Sequence, residues 1–150
     1  MKKIFFLILL STTISLAQKK SSLSSTPSSL DTIVLAGGCY WCVEAVYENL
    51  KGVQKVVSGF AGGTVKNPSY EAVSSGTTGA AEVVQITFNK NETNLDEIFK
   101  VFFTVHDPTT LNRQGADVGT QYRSAIFYKN EAQKKAGQQI IQAQTNAQAF

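Results

Sequence analysis

The two cysteines of this chain stand three positions apart, in Gly37-Gly38-Cys39-Tyr40-Trp41-Cys42. Thr32-Ile33-Val34-Leu35 ahead of them has the β-branched, apolar character of a strand, and Val43-Glu44-Ala45-Val46-Tyr47 behind them suits a helix. Cys39 is therefore expected at a strand-to-helix junction. There, unpaired backbone N–H groups and the positive end of the helix dipole favour thiolate over thiol. Residues at i and i+3 share a helix face, so Cys42 in the first turn can reach back to Cys39. Such a pair can cycle from thiol through sulfenic acid to disulfide. Spacing alone leaves three readings open: this redox nucleophile, a thioredoxin-type dithiol, and a purely structural bridge. A bridge closing so short a loop gains little chain entropy. Zinc is disfavoured, because a structural site takes about four ligands and the chain offers two Cys and one His. Val43 rather than His follows Cys42, which excludes the usual haem attachment. Neither Gly37-Gly38 nor Gly62-Gly63 fits a dinucleotide or phosphate-loop fingerprint, so neither cofactor nor metal is expected.

The elements that must position these cysteines can be read in outline. Val53 to Phe60 and Glu82 to Phe88 are rich in β-formers and read as strands, and Tyr122 to Tyr128 reads as another. Asn67-Pro68 marks a turn, and Tyr70 to Val73 suits a helical turn or a strand end. Asn94 can cap a helix from Leu95 to Val105, with Asp96 and Glu97 in its first turn and Leu95, Ile98, Phe99, Phe102 and Phe103 as its apolar stripe. His106-Asp107-Pro108 ends it, Thr109 to Thr120 reads as a polar loop, and Glu131 to Gln144 reads as a final helix. Helices and strands mix without strict alternation. The expected fold class is α+β: a two-layer sandwich, helices on a mixed or antiparallel sheet, in the manner of a ferredoxin-like plait.

The N-terminus has the form of a leader. Met1-Lys2-Lys3 supplies charge, Ile4 to Leu10 is apolar, and Ser15-Leu16-Ala17 has the small-x-small form of a cleavage site. Residues 1–17 are thus expected to be a signal peptide, giving an exported, periplasmic or extracytoplasmic protein with no stable membrane span after cleavage. Residues 18–30, rich in Ser, read as a disordered linker, and 31–150 as the folded domain. Of 14 basic residues, losing Lys2 and Lys3 leaves 12 against 11 acidic ones, a nearly neutral mature chain. No basic stripe with interleaved aromatics occurs, which argues against nucleic-acid binding.

Six segments in order resemble the A-type peptide methionine sulfoxide reductases. They are Gly38-Cys39-Tyr40-Trp41, Asn67-Pro68-Ser69-Tyr70, Gly79 to Val84, His106-Asp107-Pro108-Thr109, Arg113 to Asp117, and Gly119 to Ser124. The resemblance implies reduction of methionine-S-sulfoxide, free or in proteins, as repair after oxidative damage. It implies Cys39 as the nucleophile that becomes a sulfenic acid as methionine leaves. It implies Glu82 as a protonated carboxyl serving the sulfoxide oxygen, and Tyr70 and Tyr122 as hydroxyls holding that oxygen. Asp117 would help position the site, and Tyr40 and Trp41 would receive the methionine methyl group. Cys42 stands where a subset of the family carries a cysteine, and resembles the resolving cysteine that forms a disulfide with Cys39. A thioredoxin-like dithiol would then reduce that bridge, and a monomer is expected. Away from the resemblance, Glu82 reads first as an exposed strand-start charge and Tyr70 and Tyr122 as half-buried core aromatics, while Tyr40 and Trp41 read equally as core residues. Phe60 replaces a family Tyr, Ala80 a family His, and Tyr40 a family Phe. His106 is expected to be structural. Relatives generally continue beyond a point like Phe150, so a C-terminal segment is expected to be lacking.

Overall fold

A computed structural model describes residues 28–149. The expected leader, 1–17, and most of the expected linker lie outside the described residues. The linker boundary is corrected at its far end, because residues 28–30 belong to the folded unit. Leu30 opens the first strand opposite Asn89, and the Ser29 carbonyl accepts from Lys90 N–H at 2.7 Å. The elements are β1 (Leu30–Ala36), α1 (Tyr40–Tyr47), β2 (Val53–Ala61), α2 (Tyr70–Ser74), β3 (Ala81–Asn89), α3 (Leu95–Val105), β4 (Arg113–Gln114), β5 (Asp117–Val118), a 3-10 turn (Thr120–Tyr122), β6 (Ala125–Phe127) and α4 (Glu131–Asn146).

Four strands form one sheet in the order β2-β3-β1-β6, each neighbouring pair antiparallel. With helices in the crossovers, this is the ferredoxin-like order, so the expected α+β sandwich is what forms. Period-two alternation sends Ile33 and Leu35 of β1, and Val84, Ile86 and Phe88 of β3, to one face. Val43 and Tyr47 of α1 and Ile98, Phe99 and Phe102 of α3 close over it, with Ala136 and Ile140 of α4 at the margin. The opposite face carries a smaller cluster of Ala36, Ala81 and Val83. The buried Tyr47 hydroxyl donates to the Ile98 carbonyl at 2.8 Å, tying α1 to α3. Asn94 caps α3 as its sequence suggests, its side chain accepting from Glu97 N–H at 3.0 Å.

Two expectations are corrected. The loop from Thr109 to Thr120 contains a short hairpin, with Arg113 opposite Val118 and Gln114 opposite Asp117. The strand expected from Tyr122 to Tyr128 is confined to Ala125–Phe127. Tyr122 instead closes a 3-10 turn, its N–H donating to the Gly119 carbonyl at 3.0 Å. The turn wins because it buries Gln121, whose amide donates to the Ser74 carbonyl at 3.4 Å; a strand would break that contact.

Candidate active site

The central strands β1 and β3 run antiparallel with Leu35 opposite Val84. The end of β1 and the start of β3 therefore lie together, and each delivers one polar group there. Past Ala36 the chain turns through Gly37 and Gly38 to Cys39, the N-cap of α1. The amides of Cys42 and Val43 donate to the Cys39 carbonyl at 3.1 and 3.3 Å, which starts the helix. Both glycines are there for closeness. A Cβ on Gly37 would stand 2.9 Å from the Phe102 ring and 3.3 Å from His106. Gly38 has φ +91°, and a Cβ there would stand 2.6 Å from Cγ of Gln114. The turn that leads to the nucleophile candidate is thus pressed against the aromatic core at Gly37 and against the β4–β5 hairpin at Gly38.

The next free helix N–H, that of Tyr40, donates to Oε2 of Glu82 at 3.1 Å. Glu82 shares the strand face of Val84, Ile86 and Phe88, and only 3 % of its surface is exposed. The reading of Glu82 as an exposed strand-start charge is thereby excluded. Burial pushes its carboxyl above the usual 4.5, and the charge of Asp117 adds to this, while the Tyr40 N–H pulls the other way. Burial also raises the phenols of Tyr40 and Tyr122, with Glu82 as the next cause for each. The Tyr122 hydroxyl feels Asp117, Tyr70 and Cys39 as well, and that of Tyr40 feels Tyr70 and Cys39. One half-buried thiol, one buried carboxyl, three phenols and a second carboxylate are therefore near enough to feel one another's charge. Groups of these types can together hold a polar oxygen among hydroxyls, offer it a proton, and present sulfur to the atom bearing it.

Both cysteines are free, Cys39 half-buried and Cys42 exposed. The Cys39 sulfur, as a hydrogen-bond partner and as a charge, pushes the Cys42 thiol up. The reach from Cys42 back to Cys39 expected from helix spacing is present. Tyr40 is flanked by the rings of Trp41 and Phe60, with centroids 5.6 and 5.8 Å away, and Trp41 is 65 % exposed. Tyr70 opens α2, whose N-cap Ser69 accepts from Ala72 N–H at 3.3 Å.

His106, expected to be structural, packs beside the turn into Cys39, where a Cβ on Gly37 would stand 3.3 Å from its ring. It is buried, its Nδ1 lies 2.6 Å from the Phe102 carbonyl, its ring lies against Phe102, and burial pushes it below its usual value. Two glutamines were missed at the sequence level. Gln114 rests on Gly38 and grips Asp107 at both backbone ends, accepting from its N–H at 3.2 Å and donating to its carbonyl at 3.1 Å. Gln121 ties the Tyr122 turn to α2, which carries Tyr70. Both fall inside or beside the quoted segments, and that was the signal available.

Comparisons with known proteins agree on one family. The family model described as peptide methionine sulfoxide reductase matches residues 31–150. The peptide methionine sulfoxide reductase MsrA of Saccharolobus solfataricus is 56 % identical over 112 residues, covering 75 % of this chain and 63 % of its own length. The MsrA of Trichodesmium erythraeum is 51 % identical over 121 residues, covering 81 % and 68 %. Among solved structures, methionine sulfoxide reductase A of Corynebacterium diphtheriae superposes with a TM-score of 0.77 at 34 % identity, covering 83 % of this chain and 60 % of that one. The chain thus spans a little under two thirds of several relatives it matches. The match runs through the sheet, the cysteine turn and the strand bearing Glu82, and on it the chain belongs to the peptide methionine sulfoxide reductase family.

Proposed function

We propose that this protein is a peptide-methionine (S)-S-oxide reductase, returning methionine-S-sulfoxide, free or in proteins, to methionine. The Cys39 thiolate attacks the sulfoxide sulfur. Glu82, protonated, gives its proton to the oxygen, while Tyr70 and Tyr122 hold that oxygen by their hydroxyls and Asp117 keeps the cluster in place. The sulfur–oxygen bond breaks, the oxygen passes to Cys39 as sulfenic acid, and methionine leaves. The Cys42 sulfur then attacks the Cys39 sulfur, expels water and leaves a Cys39–Cys42 disulfide. A thioredoxin-like dithiol reduces that bridge and is itself oxidised. Net, one sulfoxide and one dithiol become one methionine, one disulfide and one water. Tyr40 and Trp41 receive the methionine methyl group, an apolar contact suited to sulfur–aromatic packing.

The observation that carries this reading is the hydrogen bond from the Tyr40 N–H to Glu82. It fixes a buried carboxyl on the backbone of Tyr40, the residue that follows the half-buried Cys39, whose sulfur has the Cys42 thiol for a neighbour. Phenols near that carboxyl can hold an oxygen by hydrogen bonds, a provision that exchange between sulfurs does not call on. We further propose that the enzyme works as a monomer, since every group invoked comes from one chain, and that it works outside the cytoplasm, as the charged, apolar and small-residue pattern of residues 1–17 supports. Among the described residues, no helix is long and apolar enough to cross a membrane.

The test adds methionine-S-sulfoxide to the fully reduced protein without reductant. Loss of two thiols with release of one methionine is expected. Methionine released equally well by Cys39→Ser would refute the nucleophile. Repeated thioredoxin-driven turnover by Cys42→Ser would refute the resolving role.

A further inference from the structure

We propose that the dithiol protein regenerating this enzyme docks on the outer face of α1 and attacks the sulfur of Cys42, so that Cys39 is the leaving group. This rests on the reading above that a Cys39–Cys42 bridge forms in each turnover.

The helix itself supplies the first observation. Its inward face is Val43 and Tyr47, 4 % and 0 % exposed. Its outward face is Trp41, Cys42, Ala45 and Val46, all exposed. Positions i, i+1, i+4 and i+5 make one continuous stripe; these four carry no charge, and the stripe ends at the exposed C-cap Glu48. The solvent side of α3 shows the ordinary alternative: Asp96, Glu97, Lys100 and Thr104 are all exposed there. Glu44, the one acid within α1, turns aside to accept from the Ser58 hydroxyl at 2.7 Å. An apolar stripe facing water around a thiol is what an interface core looks like before its partner arrives.

The second observation settles which sulfur is at its centre. Trp41 precedes Cys42 in the chain, and Ala45 and Val46 lie one turn on from it. Cys39 is half-buried, with Gln114 packed on the glycine before it. Disulfide exchange requires the incoming thiolate to reach one sulfur along the line of the bond being broken. Whatever reduces the bridge must therefore cover the surface around the accessible sulfur, and that surface is this stripe. The partner it fits is a protein with a nucleophilic cysteine set in an uncharged apolar surface.

The partner thiolate forms a bond to Cys42 Sγ. The bond between Cys42 and Cys39 breaks, its electron pair goes to Cys39 at the helix N-terminus, and a mixed disulfide with Cys42 remains. The partner's second thiol attacks its own sulfur in that mixed disulfide, releasing Cys42 and taking the oxidised state.

The bridge is made for the test with a chemical thiol oxidant, so the outcome does not depend on sulfoxide reduction. The oxidised protein is mixed with a thioredoxin whose second cysteine is Ser, which traps the mixed disulfide. Peptide mapping is expected to find thioredoxin on Cys42 and Cys39 open to alkylation. Thioredoxin on Cys39, or no adduct from a bridge that dithiothreitol opens readily, overturns the proposal. A second arm uses Ala45→Gln with Val46→Gln, both uncharged. Reduction of the bridge by thioredoxin is expected to slow about fivefold or more, with its rate in dithiothreitol unchanged. An equal effect on both reductants, or on neither, overturns the docking face.

Discussion

Glu82→Gln separates proton donation from every other duty of that side chain. The amide oxygen of Gln can still accept from the Tyr40 N–H, now 3.1 Å from Oε2, so the start of α1 keeps its partner. The amide NH2 can still donate a hydrogen bond to a sulfoxide oxygen. What goes is the transferable proton, and general acid catalysis contributes about 10²- to 10⁴-fold. Because the hydrogen-bonding part survives, the expected loss lies at the low end: about 10²-fold in kcat/KM, or ~2.7 kcal/mol of transition-state stabilisation. The assay is methionine release from an S-sulfoxide peptide with dithiothreitol as reductant. In the wild type, kcat/KM is expected to fall as pH rises through the raised Glu82 value, and the Gln variant is expected to lack that falling limb. Stability moves the other way. Below the ordinary 4.5, Glu82 is protonated whether the chain is folded or not. Between 4.5 and the raised folded value, the unfolded chain ionises first, and rising pH erodes stability. The Gln variant escapes this erosion, so at neutral pH it should unfold no more readily than the wild type. A Gln variant with kcat/KM within threefold of wild type, or with an unaltered falling limb, would refute the acid role.

Three further perturbations probe the supports of the site. Gly38→Ala forces a non-glycine residue to φ +91° and its Cβ to 2.6 Å from Gln114; a loss of about 1–3 kcal/mol is expected in denaturant unfolding, together with a fall in kcat as Cys39 is displaced. Tyr47→Phe removes the 2.8 Å bond to the Ile98 carbonyl, which keeps its partner within α3, so thermal unfolding should report a loss of about 0.5–1.5 kcal/mol with chemistry intact. Tyr122→Phe should lower kcat/KM about tenfold, the scale of one hydrogen bond to a charge-bearing oxygen, with the melting curve unmoved.

What could be read ahead of the fold was local. The cysteine turn, the Asn94 cap and the stripe of α3 each follow from neighbours in the chain, through dipole, capping and periodicity, and all appear as expected. What could not be read depends on contacts between distant segments. Glu82 looked like an exposed charge because nothing near it in sequence says that the first turn of α1 will lie over it. Tyr122 looked like a strand residue because its own propensity is β; the turn that holds it is secured by Gln121 reaching Ser74, 47 positions away. The β4–β5 hairpin escaped notice because two-residue strands have no detectable period. Nor does anything beside Gly37 and Gly38 in the chain show that Phe102 and Gln114 will crowd them.

The pairing of Leu35 with Val84 makes the sheet a caliper. The backbone ladder brings the end of β1 and the start of β3 together, and the side chains at outward positions such as Gln85 or Val57 take no part in that pairing. The ladder is intolerant of length. A slip of one residue in β3 would rotate Glu82 through to the far side and put an alanine or valine under the helix in its stead. Drift in this lineage should accordingly be plentiful in the identity of ladder residues and all but absent in their number.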